Sequence, residues 1–75
     1  MKMPHTYKVG DKLYFKRQFR REKHGEIATV TGIQWVEHIG NWVSPVEILI
    51  NLVTDNGTEL QWPRRLVRRE LMLLR

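Results

Sequence analysis

The chain has 75 residues, no cysteine, and a formal net charge of +5 from thirteen Lys and Arg against eight Asp and Glu. That length makes one domain near the lower size for an unaided core, and the missing cysteine excludes disulfides, thiolate metal sites and a cysteine nucleophile. A pI near 10.1 favours anionic partners, and no run approaches the roughly twenty apolar residues of a membrane helix, so the expected setting is cytoplasmic with no membrane partner.

Residues 1–6, with Pro4 and His5 among them, read as a flexible lead-in, and residues 7–75 as a single domain. Gly10-Asp11 is expected to turn the chain into a strand, in which Leu13 and Phe15 alternate with Lys12 and Tyr14. Residues 16–24 follow as a basic hairpin connection with Phe19 in its middle. From Gly25 the chain returns to β-formers, Ile27, Val30, Thr31, Ile33, Trp35, Val36 and Ile39, with Gly32 marking a bulge or bend. Trp35 is expected in the core. Gly40-Asn41 reads as a turn, Trp42 falls in that loop, and Pro45 blocks a central strand there.

Residues 46–54 carry the clearest strand pattern: Ile48, Ile50 and Leu52 share one face, with Leu49 and Val53 on the other. Asp55-Asn56-Gly57 is a tight hairpin turn, expected as type I′ because Asn-Gly supplies positive backbone angles. Thr58 to Trp62 returns as a fourth strand, ended by Pro63. Residues 63–75 admit two readings. As a helix, Pro63 starts it and Val67, Leu71 and Leu74 form one stripe. As a barrel ending, residues 63–67 make a 3₁₀ turn and residues 70–74 a fifth strand, with Leu71 and Leu73 facing one way and Met72 and Leu74 the other. The second is preferred, although local propensity leans helical.

The order Gly-Asp-x-apolar-x-apolar, a connection, then Gly-x-apolar-x-x-Val resembles the KOW motif, carried here by Gly10, Asp11, Leu13, Phe15, Gly25, Ile27 and Val30. The middle departs from it, with Gln18-Phe19 where the motif often has a further glycine. The resemblance implies the SH3-like barrel that the motif begins in transcription elongation factors and several ribosomal proteins. The expected fold is therefore all-β, a small five-stranded SH3-like barrel with a short 3₁₀ turn near Pro63, the alternative being four strands and a C-terminal helix.

Catalysis finds little support in the residues. His5, His24 and His38 lack metal-ligand spacing, no phosphate-binding glycine loop or activated serine is present, and the carboxylates fit turn caps and surface ion pairs. Type II dihydrofolate reductases are small SH3-like tetramers using Val-Gln-Ile-Tyr before a proline; Glu59-Leu60-Gln61-Trp62 before Pro63 does not line up. No enzyme activity, metal or cofactor is expected. Two basic clusters instead suggest phosphate contact: Lys16, Arg17, Arg20, Arg21 and Lys23, and then Arg64, Arg65 and Arg68, with Arg69 beside them. In an SH3-like barrel the two can merge into one surface. Phe19, Trp42 and Trp62 are candidates for base stacking, weighed against a core role that is the stronger claim for Trp62. The expected partner is nucleic acid or a ribonucleoprotein; the alternative is docking of an acidic or hydrophobic protein, or self-association.

Overall fold

The computed structural model describes residues 7–36 and 47–74. Five strands and two short helices follow in the order β1 (Lys12–Phe15), α1 (Gln18–His24), β2 (Ile27–Val36), β3 (Glu47–Thr54), β4 (Glu59–Pro63), α2 (Arg64–Glu70) and β5 (Leu71–Leu74). The strands form one antiparallel sheet in the order β4-β3-β2-β1-β5, curled into a half-barrel. The first four make a meander; the fifth returns to the far side of β1 through α2, which packs on β3, β4 and β5. The molecule is thus mostly β rather than all-β.

Alternation places the core. Leu13 and Phe15 of β1, Ala28 and Val30 of β2, Ile50 and Leu52 of β3, Val67 of α2 and Leu71 of β5 are all buried. Ile33, Ile48, Leu60, Trp62, Leu73 and Tyr7 close around them, half-buried. Burial of this kind stabilises by about 1.5–3 kcal/mol per large apolar side chain, which is what offsets the chain entropy of so small a domain. The opposite face is mixed, with Leu49 and Val53 half-buried on it and a polar cluster in which Gln61 Nε2 donates to Gln34 Oε1 at 2.7 Å and to Asn51 Oδ1 at 3.0 Å.

Gly10, at φ +98°, turns the chain into β1, and the Lys8 amide donates to Asp11 Oδ2 at 2.9 Å. The register slips between Val30 and Gly32, the bulge the isolated glycine suggested. That slip shifts the phase of inward residues from Ala28 and Val30 to Ile33. Trp35 shares the face of Ile33 by alternation but lies two residues, about 7 Å, farther along the ribbon, and is 71% exposed. It is not a core residue: it lies near the end of β2, where even its cross-strand partner Ile48 is only half-buried.

Three further expectations are corrected. Residues 16–24 are not simply a loop: Gln18–His24 is a helix. Gln, Arg, Glu and Lys are good helix formers, Gln18 reaches Glu22 one turn on at 3.3 Å, and Arg21, Lys23 and His24 put positive charge on the last turn. Gly25, at φ +101°, ends it, its amide bonded to Arg21 O at 2.8 Å. The β3–β4 turn is not type I′. Among the described residues only glycines take positive φ, and Gly57 N bonds Thr54 O at 2.9 Å while Thr54 N bonds Thr58 O at 2.9 Å. This is a three-residue loop with a type I turn over Asp55 and Asn56, then Gly57 at φ +86°. Near Pro63 the expected 3₁₀ turn is a two-turn α-helix, and β5 follows it directly. Each reading of the C-terminal stretch therefore holds in part, and Leu71 and Leu73 face inward while Met72 and Leu74 are exposed.

The lead-in, the Gly40-Asn41 turn, Pro45 and Trp42 lie outside the described residues. No helix among the described residues is long and apolar enough to cross a membrane.

Candidate nucleic-acid interface

Glu70 ends α2, three residues after Val67 on the same helix face, and is therefore carried into the interior with it, 4% exposed. Three arginines gather on its carboxylate. Arg17 Nε stands 3.5 Å and Arg20 Nε 3.9 Å from Oε1, while Arg69 Nε lies 3.4 Å from Oε2. At these separations the attraction to Oε1 is Coulombic, and that oxygen accepts no hydrogen bond among the described residues. The group ties α1 to the α2–β5 junction.

Arg20 is held further by rings. Its guanidinium carbon lies 4.9 Å from the centre of Trp62 and 5.1 Å from that of Phe19. Trp62 in turn meets Phe15 and His24 edge-on, with centroids 6.2 Å and 6.3 Å apart. His24 is buried there, and its imidazole pKa is lowered, first by that burial and then by Lys23 and Arg20. Arg21 braces the chain: Nη1 donates to Phe15 O at 2.8 Å and to Lys16 O at 3.3 Å, and the guanidinium lies 5.3 Å from the Tyr14 ring centre. Arg20 and Arg21 are therefore structural cations, and Arg17 is shared with Glu70.

The exposed cations, with Arg69 among them in spite of its contact with Glu70, converge along a second surface. Lys16, just after β1, donates from Nζ to Arg68 O at 3.3 Å, and this joins the first basic stretch to the second. Lys16, Arg65, Arg68 and Arg69 line an open groove of about 540 Å³ between α2 and β5, together with Tyr7, Leu71, Met72 and Leu73. Seven residues of helix at 100° per step place Arg65, Arg68 and Arg69 on one outward side while Val67 and Glu70 point in. Arg64 lines an adjoining recess with Arg65, Arg68, Glu47 and Ile48. The Tyr7 phenol pKa is raised by burial, which outweighs the opposing influence of Arg68 and Arg64.

Of the residues singled out in the sequence, Lys16, Arg65 and Arg68 come together and Arg64 adjoins them. Arg17, Arg20 and Arg21 lie on or beside α1 in internal contacts. Lys23, whose carbonyl accepts from Asn56 Nδ2 at 3.0 Å, is not among the residues lining the groove. Trp62 is a half-buried core residue under Arg20. Phe19 is 53% exposed but covered on one side by the same guanidinium. Sequence reasoning missed Tyr7, Met72 and Glu70. The signal for Glu70 was its i+3 spacing from Val67, visible only once the segment is taken as a helix. Asp11 does cap its own turn, whereas Asp55 ties the β3–β4 turn to the start of β2, Oδ2 accepting from the Glu26 and Ile27 amides at 3.0 Å and 3.1 Å. Among the described residues no cluster of His, Asp or Glu could hold a metal ion. No family model matches the chain, and neither a curated protein nor a solved structure matches it.

Proposed function

We propose that the protein binds nucleic acid, alone or within a ribonucleoprotein, chiefly through backbone phosphates. The observation that carries this reading is the meeting of Lys16 with Arg65, Arg68 and Arg69 along one groove. Guanidinium forks grip phosphate oxygens in pairs and stay charged at any working pH. The net charge of +5 draws a polyanion to the surface before any contact forms. The strand order β4-β3-β2-β1-β5, with a helical turn between β4 and β5, supports an SH3-like barrel of the KOW-like kind as the scaffold.

The test is anisotropy of labelled DNA and RNA titrated with protein across a salt series. Four phosphate contacts give a slope of log K against log salt of about −3 to −4 on duplex. Arg65→Ala with Arg68→Ala removes two of the four, and the slope should become shallower by about 2. Arg21→Ala should leave the slope unchanged, since that side chain is spent on backbone carbonyls. Absence of binding at low salt sinks the proposal.

A further inference from the structure

We propose that the groove between α2 and β5 takes single-stranded rather than duplex nucleic acid, seating a base on Tyr7 and Met72 while Lys16, Arg65 and Arg68 hold the flanking phosphates. The inference rests on the nucleic-acid reading above and goes beyond it in naming the form of the ligand. A surface built only for phosphates needs cations and polar donors. Apolar side chains share this groove with its cations: Met72 is 50% exposed, and Tyr7 and Leu73 are half-buried. Phosphate laid on those side chains loses water without gaining hydrogen bonds, which is unfavourable. A base face laid there loses water from one apolar surface against another.

In a duplex the base faces are already stacked on each other, so only phosphates and groove edges reach the protein. In a single strand the faces are free to leave the stack. The groove is open and measures about 540 Å³, which gives a base and its sugar room to lie along it.

The aromatic inventory points the same way. Trp62 is held by Phe15, His24 and Arg20, Phe19 has one face covered by Arg20, and the exposed Trp35 of β2 does not line the groove. Tyr7 is the aromatic that lines the cationic groove itself. A membrane surface is the competing occupant for cations beside apolar residues, with Met72 and Leu74 exposed on β5, and the vesicle arm of the experiment below separates the two.

The experiment compares a labelled oligothymidylate 20-mer with a duplex of equal length by anisotropy, using the whole chain at physiological salt. Single strand should bind about fivefold tighter or more, the effect of a single base–aromatic contact. Tyr7→Ala should erase that margin while leaving duplex binding within about twofold, and Tyr7→Phe should restore it. Because Tyr7 also packs on the core, Met72→Ser, at an exposed position, provides a second route to the same loss. Equal binding of the two forms, or a single-strand margin that survives both Tyr7→Ala and Met72→Ser, overturns the inference while the phosphate reading stands. Binding of neither form overturns both. Sedimentation with phosphatidylserine vesicles, if it captures the protein more tightly than the oligonucleotide does, assigns the groove to a membrane surface and overturns the inference.

Discussion

Glu70 allows burial to be weighed against distance in a single measurement. Arg17 is the nearer of the two arginines on Oε1, at 3.5 Å, but its side chain is 58% exposed; Arg20 is farther, at 3.9 Å, and only 26% exposed. Coulomb's law gives about 1 kcal/mol for the first at a water-like dielectric and about 4 kcal/mol for the second at an effective dielectric near 20. The 0.4 Å difference between the two distances changes either figure by only about a tenth, so burial decides the ranking. After desolvation and ordering costs, a coupling of about 0.5 kcal/mol is expected for Arg17 with Glu70. For Arg20 with Glu70 about 1.5–2 kcal/mol is expected, near the middle of the range for contacting residues.

Glu70→Gln alone should cost about 2 kcal/mol. That is below the usual 3–5 kcal/mol for breaking a buried pair, because Arg17 and Arg69 rehydrate and Arg20 keeps the faces of Trp62 and Phe19. With a urea m-value near 1 kcal/mol/M for a domain this small, the unfolding midpoint should fall by about 2 M. Double-mutant cycles of Arg17→Ala and Arg20→Ala with Glu70→Gln, read by urea unfolding, measure the two couplings. An Arg17 coupling equal to or above that of Arg20 would refute the argument from burial.

Two further outcomes follow from the same packing. His24 has its pKa lowered below 6.5 in the folded chain, so the unfolded chain binds the extra proton first. Its contribution to stability is full above pH 6.5 and is lost as pH falls through the lowered folded value. The urea midpoint should drop between pH 7 and pH 5, and His24→Leu should flatten that drop; an unchanged pH profile in the variant contradicts it. Gly25→Ala should destabilise by about 2–3 kcal/mol, since φ +101° disfavours any side chain and the new Cβ would stand 2.8 Å from Asp55 Cβ. Gly10→Ala, at φ +98° with open space around it, should cost only about 1 kcal/mol, and thermal or urea unfolding that reverses this order would show that the contact with Asp55 is unimportant.

Local pattern was enough where one face of an element had to be dry. Leu13 and Phe15 on β1 and Ile50 and Leu52 on β3 declare a shared face through a period of two, and Gly32 and Asp55-Asn56-Gly57 mark the bulge and the hairpin through backbone freedom. Those signals need only neighbours in sequence. On β2 the pattern pointed to Ile27 with Val30, whereas Ala28 and Val30 are the buried pair, and residues 71–74 fitted a helical stripe as well as a strand. The charged stretches carried no such information. Nothing in the run from Lys16 to His24 says that Arg20 will lie between Trp62 and Glu70, because those partners are 42 and 50 residues away along the chain and come close only in the folded sheet. The carbonyls of Phe15 and Lys16 are near Arg21 in sequence, but the bend from β1 into α1 is what brings them to its guanidinium. Trp35 shows the converse: its size argued for the core, and its place along the ribbon, beyond Ile33, put it in solvent. The sequence by itself therefore determined the first four strands, the faces of β1 and β3, and a surplus of positive charge. Only the tertiary structure decided which cations are consumed by a buried carboxylate and which remain along a groove, since a long side chain's charge is directed by whatever the fold brings within a few ångströms of it.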